Sequence, residues 1–386
     1  MRFPMVWILI ILAALLAALS LRGEGERARY WRERAGARRG GEWPRATVIV
    51  PVKGEEEGLR ENLASLARLD YPDYELIVVS RRAEDVPRGV TPERARLIHA
   101  GEGDGETGGK IVNLLAAVRA ARKESEVFAF ADSDGRVPVG WLRALAAALD
   151  EEHVGAATGY RWHLPHPVDL PSLLRSVWNA VIVDGMGPPG EPRFCWGGAM
   201  AVRRDTFERL NIPGWWRGAV SDDYRLSEAV RRAGMRIRFA PGAMVATLDH
   251  TEGMEFLGWI TRQMRITRFY APGLWGAALA AHVVYCAAMA GAGWLLWGGS
   301  WAAGVALGWQ LGTGMWKGWR RVANARAVMG EYDGWFRRWG WAHVALAPVG
   351  TWLWLYGCAA AGLSNRIRWR GGAYRLKRLS AVGTKQ

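Results

Sequence analysis

The chain has 386 residues, of which 50% are hydrophobic, and it carries 23 tryptophans. Its 51 Lys and Arg outnumber its 37 Asp and Glu, for a net charge of +14. A basic excess can serve nucleic acid, but here the basic residues cluster beside apolar runs, at Arg27–Arg39, Arg262–Arg268, Lys317–Arg338 and Arg366–Arg378. That placement fits the positive-inside rule and anionic lipid headgroups, so membrane lipids are expected as partners and nucleic acid is not. The 3 cysteines, Cys195, Cys286 and Cys358, lie far apart, which excludes a disulfide framework and a cysteine-based zinc site.

The stretch from Phe3 to Leu21 is apolar and uncharged. It reads as a cleaved signal peptide or as a signal anchor. Its length, the lack of a small-residue cleavage site and the Arg-rich flank after it favour an anchor with its C-terminal flank in the cytosol. A soluble α/β pattern begins after Pro44. Thr47–Pro51 reads as a buried strand ending in a turn at Lys53-Gly54. Glu55 to Leu69 has helical spacing at Leu59, Leu63, Leu66 and Leu69. Glu75–Ser80 and Ala95–His99 are two further strands. Gly108-Gly109-Lys110 opens a helix reaching about Lys123, and Val127–Ala131 is a fourth strand. This alternation predicts an α/β fold with a mostly parallel sheet and helices on both faces. Val154–Tyr160 and Arg236–Ala240 are later strands. The Pro- and Gly-rich stretch up to Arg193 reads as irregular. After Pro272, the segments Gly273–Trp297, Trp301–Trp316 and Trp339–Leu363 are candidate membrane segments, the first two forming a hairpin at Gly298–Ser300.

Ligands of such sheets sit beyond the C-terminal strand ends. Asp132-Ser133-Asp134 comes directly after the fourth strand. Two carboxylates at i and i+2 can face one site and hold a hard divalent cation shared with a diphosphate, or they form a solvated turn. Asp222 and Asp223 precede a helical pattern, where Asp caps free N–H groups or, as a general base, takes a proton from a hydroxyl. Arg262 and Arg265 are three apart on a predicted helix. They read either as a fork gripping a diphosphate or as membrane-flanking charge. Lys110 and Asn113, after a glycine pair, are placed to contact nucleotide phosphate or ribose.

In order, the segments VIVPVKGEEEGLRENLASLARLDYPDYELIVV, GGKIVNLLAAV, FADSDGRVP, FCWGGAMAVRRDTF, SDDYRLSEAVRRAGMRIRFAP, TRQMR and RWRGGAYRL resemble the ceramide glucosyltransferase-like branch of the family 2 glycosyltransferases, which includes bacterial hopanoid and glycolipid enzymes. The resemblance runs from Thr47 to Leu376. It implies a GT-A-type nucleotide-sugar-binding domain, an inverting single displacement and Mg²⁺ or Mn²⁺ as cofactor. By position, Asp132 and Asp134 resemble the metal and nucleotide aspartates. Asp223 resembles the base, with Asp222 where relatives often carry Glu. Arg262 and Arg265 match the family's Arg/Gln-x-x-Arg-Trp element, in which Ile266 stands here for the Trp. Lys53, Glu55, Lys110 and Asp85 (or the neighbouring Glu84) take the nucleotide side. Trp196, Gly197 and Gly198 take the acceptor side.

The implied organisation is a transmembrane anchor (1–22), a basic linker (23–44), a cytosolic catalytic domain (45–270) and a transmembrane hairpin (271–316). A basic segment (317–338), a membrane or re-entrant segment (339–364) and a basic tail (365–386) complete it. The implied reaction moves one sugar, glucose or N-acetylglucosamine, from a UDP-sugar donor to a lipid hydroxyl (ceramide-like, hopanoid or glycerolipid), at a bacterial inner membrane. No oligomeric partner is assigned. One rival is a processive polysaccharide synthase, which needs more membrane helices and the missing Trp. The other is a non-catalytic lipid-binding scaffold, against which both carboxylate pairs argue.

Topology yields a test. Three full crossings after Pro272 would put the basic tail outside, against the positive-inside bias. Pro348 and Gly350 interrupt the last apolar segment. We therefore expect Trp339–Leu363 to be re-entrant or interfacial and the tail to be cytosolic. A Ser380→Cys probe should resist an impermeant thiol reagent in intact cells, and labelling there would make the segment a true span.

Overall fold

The computed structural model describes residues 4–36, 41–188, 190, 192, 194–369 and 372–376. Part of the expected basic linker and most of the basic tail lie outside these. In chain order, α1 (Pro4–Ser20) and α2 (Glu24–Ala35) come first. The α/β region then runs β1 (Ala46–Pro51), α3 (Leu59–Ala67), β2 (Tyr74–Ser80), β3 (Ala95–His99), α4 (Gly109–Ala120), β4 (Val127–Ala131), α5 (Trp141–Leu149), β5 (Val154–Thr158) and β6 (Arg161–His163). After α6 (Leu170–Ala180) come β7 (Ala199–Arg203), α7 (Arg204–Arg209), α8 (Ile212–Trp216), α9 (Asp222–Arg232), β8 (Arg236–Phe239) and β9 (Val245–Thr247). The chain closes with α10 (Glu255–Tyr270), α11 (Pro272–Trp297), α12 (Trp301–Val328), α13 (Asp333–Trp339), α14 (Ala342–Ala345), α15 (Ala347–Gly362) and the strands β10 (Arg366–Trp369) and β11 (Gly372–Arg375).

The chain divides into two compact units that do not follow its linear order. One comprises 30–166, 185–249 and 368–386. The other comprises 1–29, 167–184 and 250–367. The first holds a seven-stranded sheet of order β3-β2-β1-β4-β7-β5-β8. β1, β2, β3 and β4 run parallel, β7 is antiparallel to both its neighbours, and β5 pairs parallel with β8. β1 and β4 are buried at every residue. Continuous Val, Ile and Phe runs of this kind suit strands covered on both faces. The core gathers Ile49, Ile77, Phe128, Phe130, Met200, Val202 and Trp216. α3 starts four residues later than its leucine spacing suggests. Gly54 and Gly58 hold φ of 76° and 69°, so the segment between them turns before helix begins.

The second unit is helical. Met5–Ala35 and Pro272–Trp297 are long and apolar enough to cross a membrane, judged by length and composition. α1 packs on α11 and α12 through Ile10, Ala13, Ala288, Ala292 and Ala303, and α11 and α12 pack on each other across the Gly298–Ser300 joint. Around that joint Trp294, Trp297 and Trp301 are strongly exposed, as aromatic side chains are at a membrane–water boundary. α15 has 16 residues. At 1.5 Å per residue that is about 24 Å, less than a hydrocarbon core of about 30 Å. α6 lies in the stretch whose composition suggests irregular chain. Asp169 caps it, accepting from Ser172 N at 2.9 Å, and Pro171 sits in its first turn. Trp178 of α6 stacks on Trp354 of α15, with ring centroids 4.6 Å apart, and Phe256, Ile260 and Met264 of α10 complete this second core.

Asp184, just after α6, is held by Arg321 through two N–H groups at 2.9 and 2.6 Å and by Lys317 at 3.3 Å. Burial would raise its carboxyl, but Arg321 and Lys317 outweigh that and lower it to about 2. A depressed folded-state value adds stability above the unfolded value near 4. That stability is lost as pH falls from about 4 to about 2. Asp184→Asn should therefore destabilise the detergent-solubilised protein by about 3 kcal/mol at neutral pH. Its thermal midpoint should also lose less than the parent's between pH 4 and pH 2.

Candidate active site

Sheet direction gathers the site. β4 delivers its C-terminal end, where Asp132 and Asp134 are half-buried and Ser133 between them is buried. β7 runs the other way, with Ala131 opposite Ala199. Its N-terminal approach, Trp196-Gly197-Gly198, therefore reaches the same edge as Asp132. β5 runs with β4 in direction, and the chain leaving it brings Tyr160 and Arg161 to that edge. The 132–134 loop is pinned from α3 and the turn before it: Asn62 Nδ2 donates to Ser133 O at 3.0 Å, and Ser133 Oγ donates to Glu56 Oε2 at 2.6 Å.

Lys110 stands at the centre. Its Nζ lies 2.7 Å from Asp132 Oδ1, 3.2 Å from Asp222 Oδ2 and 3.3 Å from Gly197 O. Burial disfavours a charged ammonium, but Asp132, Asp222 and Asp223 outweigh it and raise the lysine well above its usual range. Asp222 is the carboxyl that gives way. Its burial, with Asp223 and Asp132 nearby, overcomes the pull of Lys110 and pushes it up to about 6. Trp216 Nε1 donates to Asp222 O at 2.8 Å, fixing the start of α9.

Asp223 is half-exposed and held by three donors: Ser221 Oγ, Tyr224 N at 2.7 Å and Gly197 N at 3.2 Å. The cap of α9 is Ser221, and Asp223 lies in the first helical turn, where it accepts from Tyr224 N and, through Gly197 N, reaches the site edge. Gly197 and Gly198 must be glycine for the carboxylates to close in. A Cβ on Gly197 would stand 2.8 Å from both Lys110 Nζ and Asp222 Oδ2. One on Gly198 would stand 2.8 Å from Asp132 Oδ2 and 2.2 Å from the Trp196 ring. Arg161, which no motif in the sequence singles out, lies 3.6 Å from Asp134 Oδ2 and 4.6 Å above the Trp196 ring. Its one sequence signal is an Arg immediately after a strand end on the ligand edge.

The remaining expected residues fall in two further places. Lys53, Glu55 and Asp85 come after β1 and β2, where Gly54 N donates to Asp85 O at 2.7 Å; the Asp85 carboxylate accepts from Arg82 N at 3.1 Å, while Glu84 is exposed beside Arg82. This group lies at the C-terminal ends of parallel strands, beside the β1/β4 switch in strand order. Asn113 is buried in α4. Arg262 and Arg265 belong to α10 in the helical unit, where both are half-buried and Arg265 donates to Arg366 O at 2.9 Å.

Among the described residues no group of three His, Cys, Asp or Glu side chains forms a metal cage of its own. The loop offers two carboxylates instead. Mg²⁺ is commonly held by one or two carboxylates and completes its shell with substrate phosphates, and Mn²⁺ favours the same oxygen donors. The donor set therefore fits an ion shared with a diphosphate, which Asp132 and Asp134 would hold.

The model of glycosyl transferase family 21 matches residues 5–382, almost the whole chain. The chain belongs to that family. No curated protein matches it in sequence. Among solved structures, a Pyrobaculum calidifontis mannosyltransferase, PcManGT, in complex with GDP-mannose and Mn²⁺ is 19% identical, with 88% of this chain and 99% of that one covered and a TM-score of 0.47. GalNAc-T7 with UDP, GalNAc and Mn²⁺ is 13% identical, over 60% and 48% of the two chains, at 0.41. S. aureus TarS 1–349 with UDP is 20% identical, over 57% and 64%, at 0.36. At these values the likenesses bear on neither substrate nor residue roles. This family 21 member is thus a glycosyltransferase built on the mostly parallel α/β sheet expected from its sequence.

Proposed function

We propose that this glycosyltransferase moves one sugar from a nucleotide-diphosphate sugar, UDP-glucose or UDP-N-acetylglucosamine, to a lipid hydroxyl, with inversion at the anomeric carbon. The observation that carries the reading is the convergence of Asp132, Asp134, Asp222 and Asp223 at the ligand edge of the sheet. The lipid acceptor is supported by the two apolar helices and by the basic residues flanking them. The ceramide glucosyltransferase-like motifs support a ceramide-like, hopanoid or glycerolipid acceptor. Nucleotide-sugars are cytosolic, so the sheet unit takes the cytosolic side of a bacterial inner membrane.

In this reading, Asp223 is the base because it combines exposure with fixed orientation. Asp222 beside it is buried against Lys110 and is not open to an acceptor. Asp223 accepts the acceptor's hydroxyl proton as the acceptor oxygen bonds to the anomeric carbon. The bond from that carbon to the diphosphate oxygen breaks, and its electron pair leaves with the diphosphate. Asp132 and Asp134 would hold a divalent ion, which would neutralise charge on that leaving group. Lys53, Glu55 and Asp85 line the nucleotide side. Trp196, stiffened by Arg161 and by Tyr160 at a centroid distance of 5.6 Å, walls the acceptor side. The Arg-x-x-Arg motif at Arg262 and Arg265 suits a diphosphate by its fork chemistry.

Mass spectrometry of lipids from cells expressing the chain, with a panel of nucleotide-sugars offered to the purified protein, tests the reaction class. A new hexosyl-lipid is expected, and polymeric glycan in its place would overturn it. Chelation should abolish transfer, with Mg²⁺ or Mn²⁺ restoring it. Asp134→Ala should lose most transfer while keeping the parent's thermal midpoint, and full activity in EDTA would remove the ion from the reaction. Asp223→Asn should slow turnover by roughly 10²–10⁴ while UDP binding persists. Normal turnover there would leave Asp223 a structural residue of the first turn of α9 alone.

A further inference from the structure

The position of Lys110 after a glycine pair suggests a contact for nucleotide phosphate. Its surroundings suit a different task. An ammonium has three N–H bonds, and oxygens of Asp132, Asp222 and Gly197 already surround this one at 2.7, 3.2 and 3.3 Å. The side chain is largely enclosed by these groups, with 13% of its surface exposed. The helix that carries it is fixed at its start, because Gly108 N donates to Ala219 O at 2.8 Å, and Ala219 leads directly into the Ser221 cap of α9. One cation thus ties together the 132–134 loop, the glycine approach to β7 and the start of α9. With Lys110 on Asp132 Oδ1, the other oxygen, Oδ2, is the one lying over Gly198, where a methyl group would stand 2.8 Å from it.

We propose that Lys110 is a positioning residue. It fixes Asp132 so that Oδ2 is presented to the diphosphate and its divalent ion, and it does not bind phosphate itself. This rests on the proposed role of the site in nucleotide-sugar transfer.

The test uses the full-length protein in detergent. UDP affinity is measured by calorimetry in EDTA and again with Mn²⁺, alongside kcat and donor KM. Lys110→Met should lower kcat by about 10²-fold, the scale expected when a reacting group is displaced by about 1 Å. UDP affinity in EDTA should stay at the parent's value, while the gain that Mn²⁺ brings in the parent should shrink. A phosphate-binding Lys110 would behave oppositely. Its loss would weaken UDP binding in EDTA by about tenfold or more, as removal of a charged hydrogen bond does, and that result overturns the proposal. Unchanged kcat in Lys110→Met overturns it as well. Gly197→Ala supplies a second route, because its methyl would displace Lys110 Nζ without removing the charge. It should reproduce the fall in kcat and the weaker Mn²⁺ response, and parent-like behaviour would count against the proposal. A parent protein whose UDP affinity ignores Mn²⁺ would instead reveal a failure of the metal reading, before any variant is compared.

Discussion

Crowding of like charge is the constraint on which the sheet unit depends. Two carboxylates 4 Å apart repel by about 4 kcal/mol at the effective dielectric typical of protein sites. Here Asp132, Asp222 and Asp223 act together on one lysine, and burial adds its own penalty for each charge. The Lys110 ammonium offsets much of this, and Asp222, the most deeply placed of the three, still has its carboxyl raised to about 6. The need for that ammonium explains neighbouring choices. Gly197 and Gly198 leave room for it and for the oxygens around it. The Trp216 indole holds the backbone of Asp222, and Ser221 with Tyr224 and Gly197 satisfies Asp223, so neither aspartate swings away from the cation.

Strand direction makes the crowding possible. In an all-parallel sheet each strand contributes the loop leaving its C-terminal end. Reversing β7 lets the sheet also contribute the segment entering a strand, and the pairing of Ala131 with Ala199 sets Asp132 and Gly198 next to each other. β5 then resumes the original direction and brings Arg161 to the same edge. The guanidinium has a carboxylate on one side and an aromatic face on the other, Asp134 and Trp196. Those two residues belong to different strand ends, so Arg161 joins the carboxylate loop to the glycine approach much as Lys110 does.

This distribution of contacts accounts for the parts of the molecule that are legible in the sequence. The β1, β2 and β4 runs are legible because strands buried on both faces must be apolar throughout. The aspartate loop is legible because it comes directly after such a run. α9 announces itself through Ser221-Asp222-Asp223, a capping pattern whose geometry is local. Lys110 and Arg161 act through partners more than twenty residues away, so no spacing in the chain records what they touch. α6 is hidden for another reason. Its Asp169 cap and Pro171 are proper start signals, but they sit among prolines and glycines that read as loop, and its apolar side is covered by residues far along the chain, Trp259 and Trp354 among them.

The excursion through α6 also bears on what counts as a domain. Linear order suggests 45–270 as one catalytic piece. The contacts take the chain out of the sheet unit after His166, back at Gly185 and out again after Asp249. Trp178 is completely buried by partners in α10 and α15, and Ser176 meets His343 at 3.1 Å. Burying a large apolar side chain stabilises by about 1.5–3 kcal/mol, and that gain vanishes when the covering surface is absent. A fragment ending at 270 would keep α6 and α10 but lose α14 and α15, leaving the stacked face of Trp178 in water. The helices after 271 therefore cover a face of a segment that is inserted, in sequence, within the sheet unit.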